Sequence, residues 1–82
     1  MDKQKDMQRI RAILKNRGLT IKEWSVIHDF YNINIPETDE NLEIVKAILK
    51  EKTINGIEFQ GLGSDSVRGI TCLNIIAIIR ED

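Results

Sequence analysis

Eighty-two residues make one small domain, 1–82, with little room for both a core and a deep active-site cavity. Hydrophobic residues at 41% and charged residues at 30% exclude a disordered chain, and the core must be aliphatic, because isoleucine fills 15 positions and Trp, Tyr and Phe together only four. The net charge of −1 is uneven: residues 1–22 carry seven bases against two acids, a balance of +5, and residues 23–82 carry five against eleven, a balance of −6.

The first predicted element is a helix from about Lys3 to Arg17. Met7, Ile10, Ile13 and Leu14 fall at i, i+3 and i+4 spacings and form one apolar stripe. Asp2 and Asp6 near its start and Lys15 and Arg17 near its end suit the helix dipole. Gly18 can take the left-handed conformation that stops a helix, and Leu19 supplies the apolar residue that folds back over the last turn.

A second helix is expected to follow at once. Thr20-Ile21-Lys22-Glu23 has the Thr-x-x-Glu form of a capping box. Ile21, Trp24, Ile27 or His28, and Tyr31 then lie along one stripe, so the helix is placed as far as Phe30. Trp24 is expected to be the packing residue between these two helices. Residues 32–38 read as a connection, with Pro36 breaking any helix and Ile33 and Ile35 tucked inward. A third helix starts after Thr38 or Asp39 and runs to about Lys52, with Leu42, Val45, Ile48 and Leu49 on its apolar face.

The last third supports two readings. Asn55-Gly56 between Ile54 and Ile57 is a hairpin dipeptide and also a helix terminator. The run from Ile70 to Ile79 is rich in β-branched residues, which favours strand, yet Val67, Ile70, Leu73 and Ala77 also fit a helix. The predicted fold is therefore mainly α, a compact helix-turn-helix-like bundle of three to five helices. The alternative is a winged-helix α+β fold with a C-terminal strand pair over about 54–79.

Catalytic constellations are nearly absent, and no catalytic residue, metal site or cofactor is expected. One His and one Cys rule out a two-His site, a cysteine cage and an internal disulfide. Ser25, His28 and Asp29 are expected as helical neighbours that cannot converge as a triad. Gly61-Leu62-Gly63-Ser64 lacks the third glycine of a dinucleotide fingerprint, since position 66 is Ser66. No secretory apolar region and no apolar run near 18 residues are found, so a cytoplasmic protein without a membrane span is expected.

The run Ile10-Arg11-Ala12-Ile13-Leu14-Lys15-Asn16-Arg17-Gly18-Leu19-Thr20-Ile21-Lys22-Glu23-Trp24 resembles the opening of small phage-type helix-turn-helix regulators, the Ner-like and lambda-repressor-like proteins. Val45-Lys46-Ala47-Ile48-Leu49 resembles the end of their recognition helix, and Gly61 to Ile70 the loop and helix that follow. The resemblance implies a DNA-binding transcriptional regulator of phage or mobile-element type. Arg9, Arg11, Lys15 and Arg17 would meet phosphates, joined by Asn41, Lys46 and Lys50 from the third helix. Three departures count against it. The connection before Thr38 is longer than a helix-turn-helix turn, the third helix opens with acids, and the C-terminal run is unusually apolar.

The alternative function is a non-catalytic protein-binding module or inhibitor, with Glu37, Asp39, Glu40 and Glu43 as an acidic face for a basic partner. A third expectation is a homodimer through the Ile-rich C-terminus.

Overall fold

The structure, a computed structural model, describes residues 2–80. In chain order the elements are α1 (Lys3–Asn16), β1 (Glu23–Ile27), β2 (Phe30–Pro36), α2 (Asp39–Glu51), β3 (Thr53–Ile54), β4 (Ile57–Val67) and β5 (Ile70–Ile79). The strands form one antiparallel sheet in the order β1-β2-β5-β4-β3. The fold is α+β, with two helices on one face of a five-stranded sheet, among the described residues.

The helices follow the sequence signals closely. Asp2 caps α1, its carboxylate accepting from the Lys5 N–H at 3.1 Å. At the far end the Leu19 N–H donates to the Leu14 carbonyl and the Gly18 N–H to the Lys15 carbonyl, both at 2.9 Å. That is a Schellman motif, and it needs the positive φ of 88° at Gly18. Thr38 caps α2, its hydroxyl accepting from the Asn41 N–H at 3.0 Å.

The helix-turn-helix expectation fails at residues 21–30. The segment placed as the second helix is β1, the turn His28-Asp29 and the start of β2. Thr20 and Glu23 therefore form no capping box, and the helix before α2 is α1, separated from it by the β1–β2 hairpin rather than by a short turn. Neither the helical bundle nor a winged helix is the fold, although the α+β class and the C-terminal strand pair of the alternative are present as β4 and β5. The physical reason lies in periodicity: Trp24 and Val26, then Tyr31, Ile33 and Ile35, alternate at period two, and a two-residue turn joins the runs. The same residues also lie near a helical stripe, and only strand pairing separates the two readings. Residues 32–36, read as a connection, are the strand β2. Residues 53–79 are strand throughout, apart from the turns Asn55-Gly56 and Arg68-Gly69. All four of those turn residues have positive φ, as a two-residue hairpin of this hand requires.

The core lies between the helices and the sheet. Met7, Ile10, Ile13 and Leu14 of α1 and Val45 and Ile48 of α2 are buried against Tyr31, Ile33 and Ile35 of β2, Leu73, Ile75 and Ala77 of β5, and Ile57 and Phe59 of β4. Trp24 stands on the outer strand, half-buried, its ring centroid 6.3 Å from that of Tyr31. It is not the helix–helix packing residue expected of it. Tyr31 is fully buried, and its hydroxyl donates to the Asp6 carboxylate at 2.5 Å, fastening α1 to the sheet. Burial, then this hydrogen bond, pushes the phenol up to about 12.

One irregularity shapes the rest. Between Gln60, opposite Ile76, and Gly63, opposite Asn74, β4 carries one extra residue. Gly61, at φ 72°, makes this bulge possible. The bulge reverses strand parity. Before it, Ile57 and Phe59 face the helices; after it, Gly63, Asp65 and Val67 lie on the opposite face, beside Asn74, Cys72 and Ile70. The β4–β5 hairpin continues past Pro36 as an arm. Its tip residue Arg68 lies 3.8 Å from Glu23 of β1, so the arm bends back across one end of the sheet. Asn34, Val67 and Cys72 are buried at that end.

Candidate functional site: the bare face of the sheet

Apart from the arm at one end, the face of the sheet away from the helices has no second layer among the described residues. Register places its side chains in rows. Glu23, Asn34, Asn74 and Gly63 form one row; Ser25, Asn32, Ile76 and Gln60 form the next; Ile27 and Phe30 lead the third, which Ile78 and Glu58 continue. The first row sits under the arm and is polar. The Asn74 side-chain amide donates to Asn32 Oδ1 at 2.8 Å and to Asn34 Oδ1 at 3.0 Å, so one amide ties β5 to two residues of β2. The third row is apolar. Ile27 is 41% exposed, and Phe30, Ile76 and Ile78 are half-buried beside it. Glu58 closes the row, held by Arg80 at 3.0 Å and by a hydrogen bond from Gln60. Those two contacts, the Gln60 bond first, hold its carboxyl below the ordinary range.

The residues proposed from sequence for nucleic acid do not gather into one surface. Arg9 is half-buried and donates to the Asn55 carbonyl at 2.9 Å. Arg17 makes a two-pronged pair with Glu51 at 2.5 and 2.9 Å, which raises the Arg17 pKa and lowers that of Glu51. Arg11 and Lys15 are exposed on α1. Asn41 is part of the α2 cap, donating from its side chain to the Pro36 carbonyl at 2.8 Å. Lys46 lies 3.5 Å from Glu43, one turn away on the same helix, and Lys50 is exposed in the last turn of α2.

The acids proposed for a basic partner surround the start of α2. Glu37, Asp39, Glu40 and Glu43 are all exposed. The Glu37 N–H donates to the Thr71 carbonyl at 3.0 Å, fixing the entry to the helix. The helix dipole favours negative charge at this end whatever else the acids do. The Ile-rich C-terminal run is β5, the central strand. Ile75 is buried in the core, and Ile76 and Ile78 reach the bare face.

Sequence reasoning missed Phe30 as a surface residue, and it named the Ile-rich C-terminus as a dimer interface without separating Ile76 and Ile78 from the buried Ile75 and Ala77. A signal existed: β2 alternates apolar and Asn, as a strand with one wet face does, whereas β5 is apolar at Ile75, Ile76, Ala77 and Ile78 without interruption. Among the described residues, no three His, Cys, Asp or Glu side chains are placed to hold a metal ion, and Ser25 lies on β1 while His28 and Asp29 form the turn after it. A concavity of about 810 Å³ lies where the start of α1 meets the end of β5. Asp2, Asp6 and Asp29 there face Lys5, Arg9 and Arg80, so neither sign of charge prevails. No helix is long and apolar enough to cross a membrane, among the described residues. No protein-family model matches this sequence, and no curated protein does.

Proposed function

We propose that the protein is a non-catalytic protein-binding module whose partner docks on the bare face of the sheet. The observation that carries this reading is the row Ile27, Phe30 and Ile78 with Ile76 beside it, four large apolar side chains on a face with no covering layer. Antiparallel sheets tolerate one wet face, but that face is normally polar. Adjacent apolar side chains at a surface mark interaction sites more often than isolated ones do. The acids near α2 and the cations of α1 take no part in this surface. Two strands, β1 and β2, separate α1 from α2, so the short turn that joins the helices of a helix-turn-helix is not there to support the DNA reading.

A two-hybrid selection tests the reading, with the full chain as bait and a Phe30→Ser/Ile78→Ser bait beside it. Partners captured by the first and lost by the second support it, once circular dichroism shows that the double variant is folded. A second copy is one such partner, and sedimentation over a range of concentrations identifies that case. Partners indifferent to the double variant overturn the reading. So does duplex DNA bound at low salt with an affinity that Arg11→Glu/Lys15→Glu abolishes.

A further inference from the structure

The sheet ends on β1, and among the described residues nothing pairs with its outer side. β1 and β2 are joined by the two-residue turn His28-Asp29, so the flanking pair Ile27 and Phe30 is the hydrogen-bonded one. Alternation from there directs the backbone N–H and C=O of Trp24 and Val26 outward, to the open edge. An unpaired edge of this length invites another strand, and proteins commonly blunt it with proline, a bulge or inserted lysines. Within β1 the residues are Glu-Trp-Ser-Val-Ile, with no proline or lysine. Lys22 stands at the head of the strand, its N–H donating to the Asn34 carbonyl at 2.8 Å, and leaves the edge at Trp24 and Val26 open. The opposite side of the sheet is different. β4 is capped by β3 at one end and broken by the Gly61 bulge, and its further residues Gly63, Ser64, Asp65 and Ser66 are small or polar.

A cleft runs beside this edge. It holds about 190 Å³ between α1 and β1, with Met7 and Trp24 at its base and Gln4, Gln8 and Arg11 along the helix. The indole of Trp24 is half-buried there, so a further side chain can cover it. Arg11, exposed at the rim, is the charged residue among those that line the cleft. Asp6, an acid on the same helix, is engaged with the Tyr31 hydroxyl.

We propose that the outer edge of β1 takes an extended, acidic segment of a partner protein as a sixth strand. Such a segment pairs its backbone with Trp24 and Val26. Of its side chains facing the helices, an apolar one covers Trp24 and an acidic one two residues away reaches Arg11. Backbone pairing supplies affinity, and the cleft supplies selection, as in strand addition generally. The charge at the rim decides between occupants. Two β1 edges paired about a two-fold axis would place both α1 helices on the same side of the joined sheet, each bringing its Arg11 to the junction, where like charges repel. A negatively charged segment from another protein meets no such cost. This inference rests on the protein-binding reading and names a second docking element for it, at the strand edge rather than on the sheet face.

Selection of random nine-residue peptides displayed on phage against the full-length protein tests the proposal. The expected result is enrichment of peptides with Asp or Glu two positions from Val, Ile or Phe. A synthetic peptide from that pool should change the fluorescence of Trp24, the only tryptophan, and slow amide exchange at Trp24 and Val26. Arg11→Glu, a change at an exposed helix position, should weaken that peptide at least tenfold and shift a repeated selection toward basic peptides. Phe30→Ser/Ile78→Ser should leave it bound. A pool without acidic bias, no binder at all, or amide protection elsewhere overturns the proposal. Binding lost in the Phe30/Ile78 variant but unaffected by Arg11→Glu overturns the edge site and leaves the sheet-face reading standing. Concentration-dependent dimers that protect Trp24 and Val26 without peptide show that a second copy is the occupant, which also overturns it.

Discussion

The two faces of the sheet are built from the same strands and do opposite things. On the helix side, Tyr31, Ile33 and Ile35 of β2 and Ile75 and Ala77 of β5 have no exposed surface. On the other side the same strands present Asn32 and Asn34, then Asn74, Ile76 and Ile78. The β2 pattern is what one covered face requires. That of β5 exceeds it, because Ile76 and Ile78 add nothing to the helix-side core. Single apolar side chains at a surface are ordinary, but these two adjoin Ile27 and Phe30 in one patch. The surplus is therefore more informative about function than the core, which packing alone explains.

The sharpest test of this contrast sets Ile33→Ala against Ile76→Ala. Ile33 is wholly buried, and its truncation removes transfer energy and leaves a cavity, so a loss of about 3–4 kcal/mol is expected. Ile76 is half-buried and opens to solvent, so the same truncation should cost about 1 kcal/mol or less. Chemical denaturation of both variants gives the comparison directly. Equal losses would mean that the bare face carries structural load and is no free docking surface.

Tyr31 joins the covered face to α1. Tyr31→Phe keeps the ring and removes the bond to Asp6, an expected cost of about 1–2 kcal/mol at neutral pH. It also has a pH signature. The neutral phenol is favoured in the folded chain, whose pKa is about 12 against an ordinary 10.0. The folded chain thus holds this proton more tightly than the unfolded chain does. That contribution is complete below pH ~10 and is lost as the pH rises through about 12. Stability measured across that range should fall more steeply in the wild type than in Tyr31→Phe. Parallel profiles would remove Tyr31 as the cause.

Asn74 offers a smaller effect on the other face. Asn74→Ala leaves the Asn32 and Asn34 side-chain oxygens without their shared donor, and about 1 kcal/mol is expected, because Asn34 is buried. A neutral result in thermal denaturation would show that solvent replaces the amide. The smallest effect belongs to the turn between β1 and β2. His28 sits at φ 56° and is exposed, so His28→Gly should change stability by no more than about 0.5 kcal/mol, toward greater stability. A large loss would give the imidazole a partner in the fold.

The sequence by itself determined the parts whose signals are local. The α1 stripe with its Gly18-Leu19 stop and the Thr38 start of α2 are contacts within a few residues, and they formed as read. Asn55-Gly56 set a hairpin for the same reason. Residues 21–30 were misread because Thr20-x-x-Glu23 and a stripe through Ile21 and Trp24 satisfy helix rules locally. What opposes them is the pairing of β2 with β5, Tyr31 with Ala77 and Ile35 with Leu73, across some forty residues of chain. No local rule reports a bond of that span, and once β2 is claimed by the sheet, β1 folds back on it as a hairpin. The candidate surfaces have the same origin. Ile76 and Ile78 stand in an apolar run whose two faces the sequence does not separate, and Trp24 looks like a packing residue. Only the tertiary structure shows that both helices lie on one face, leaving the other bare, and that β1 is the strand with an open side.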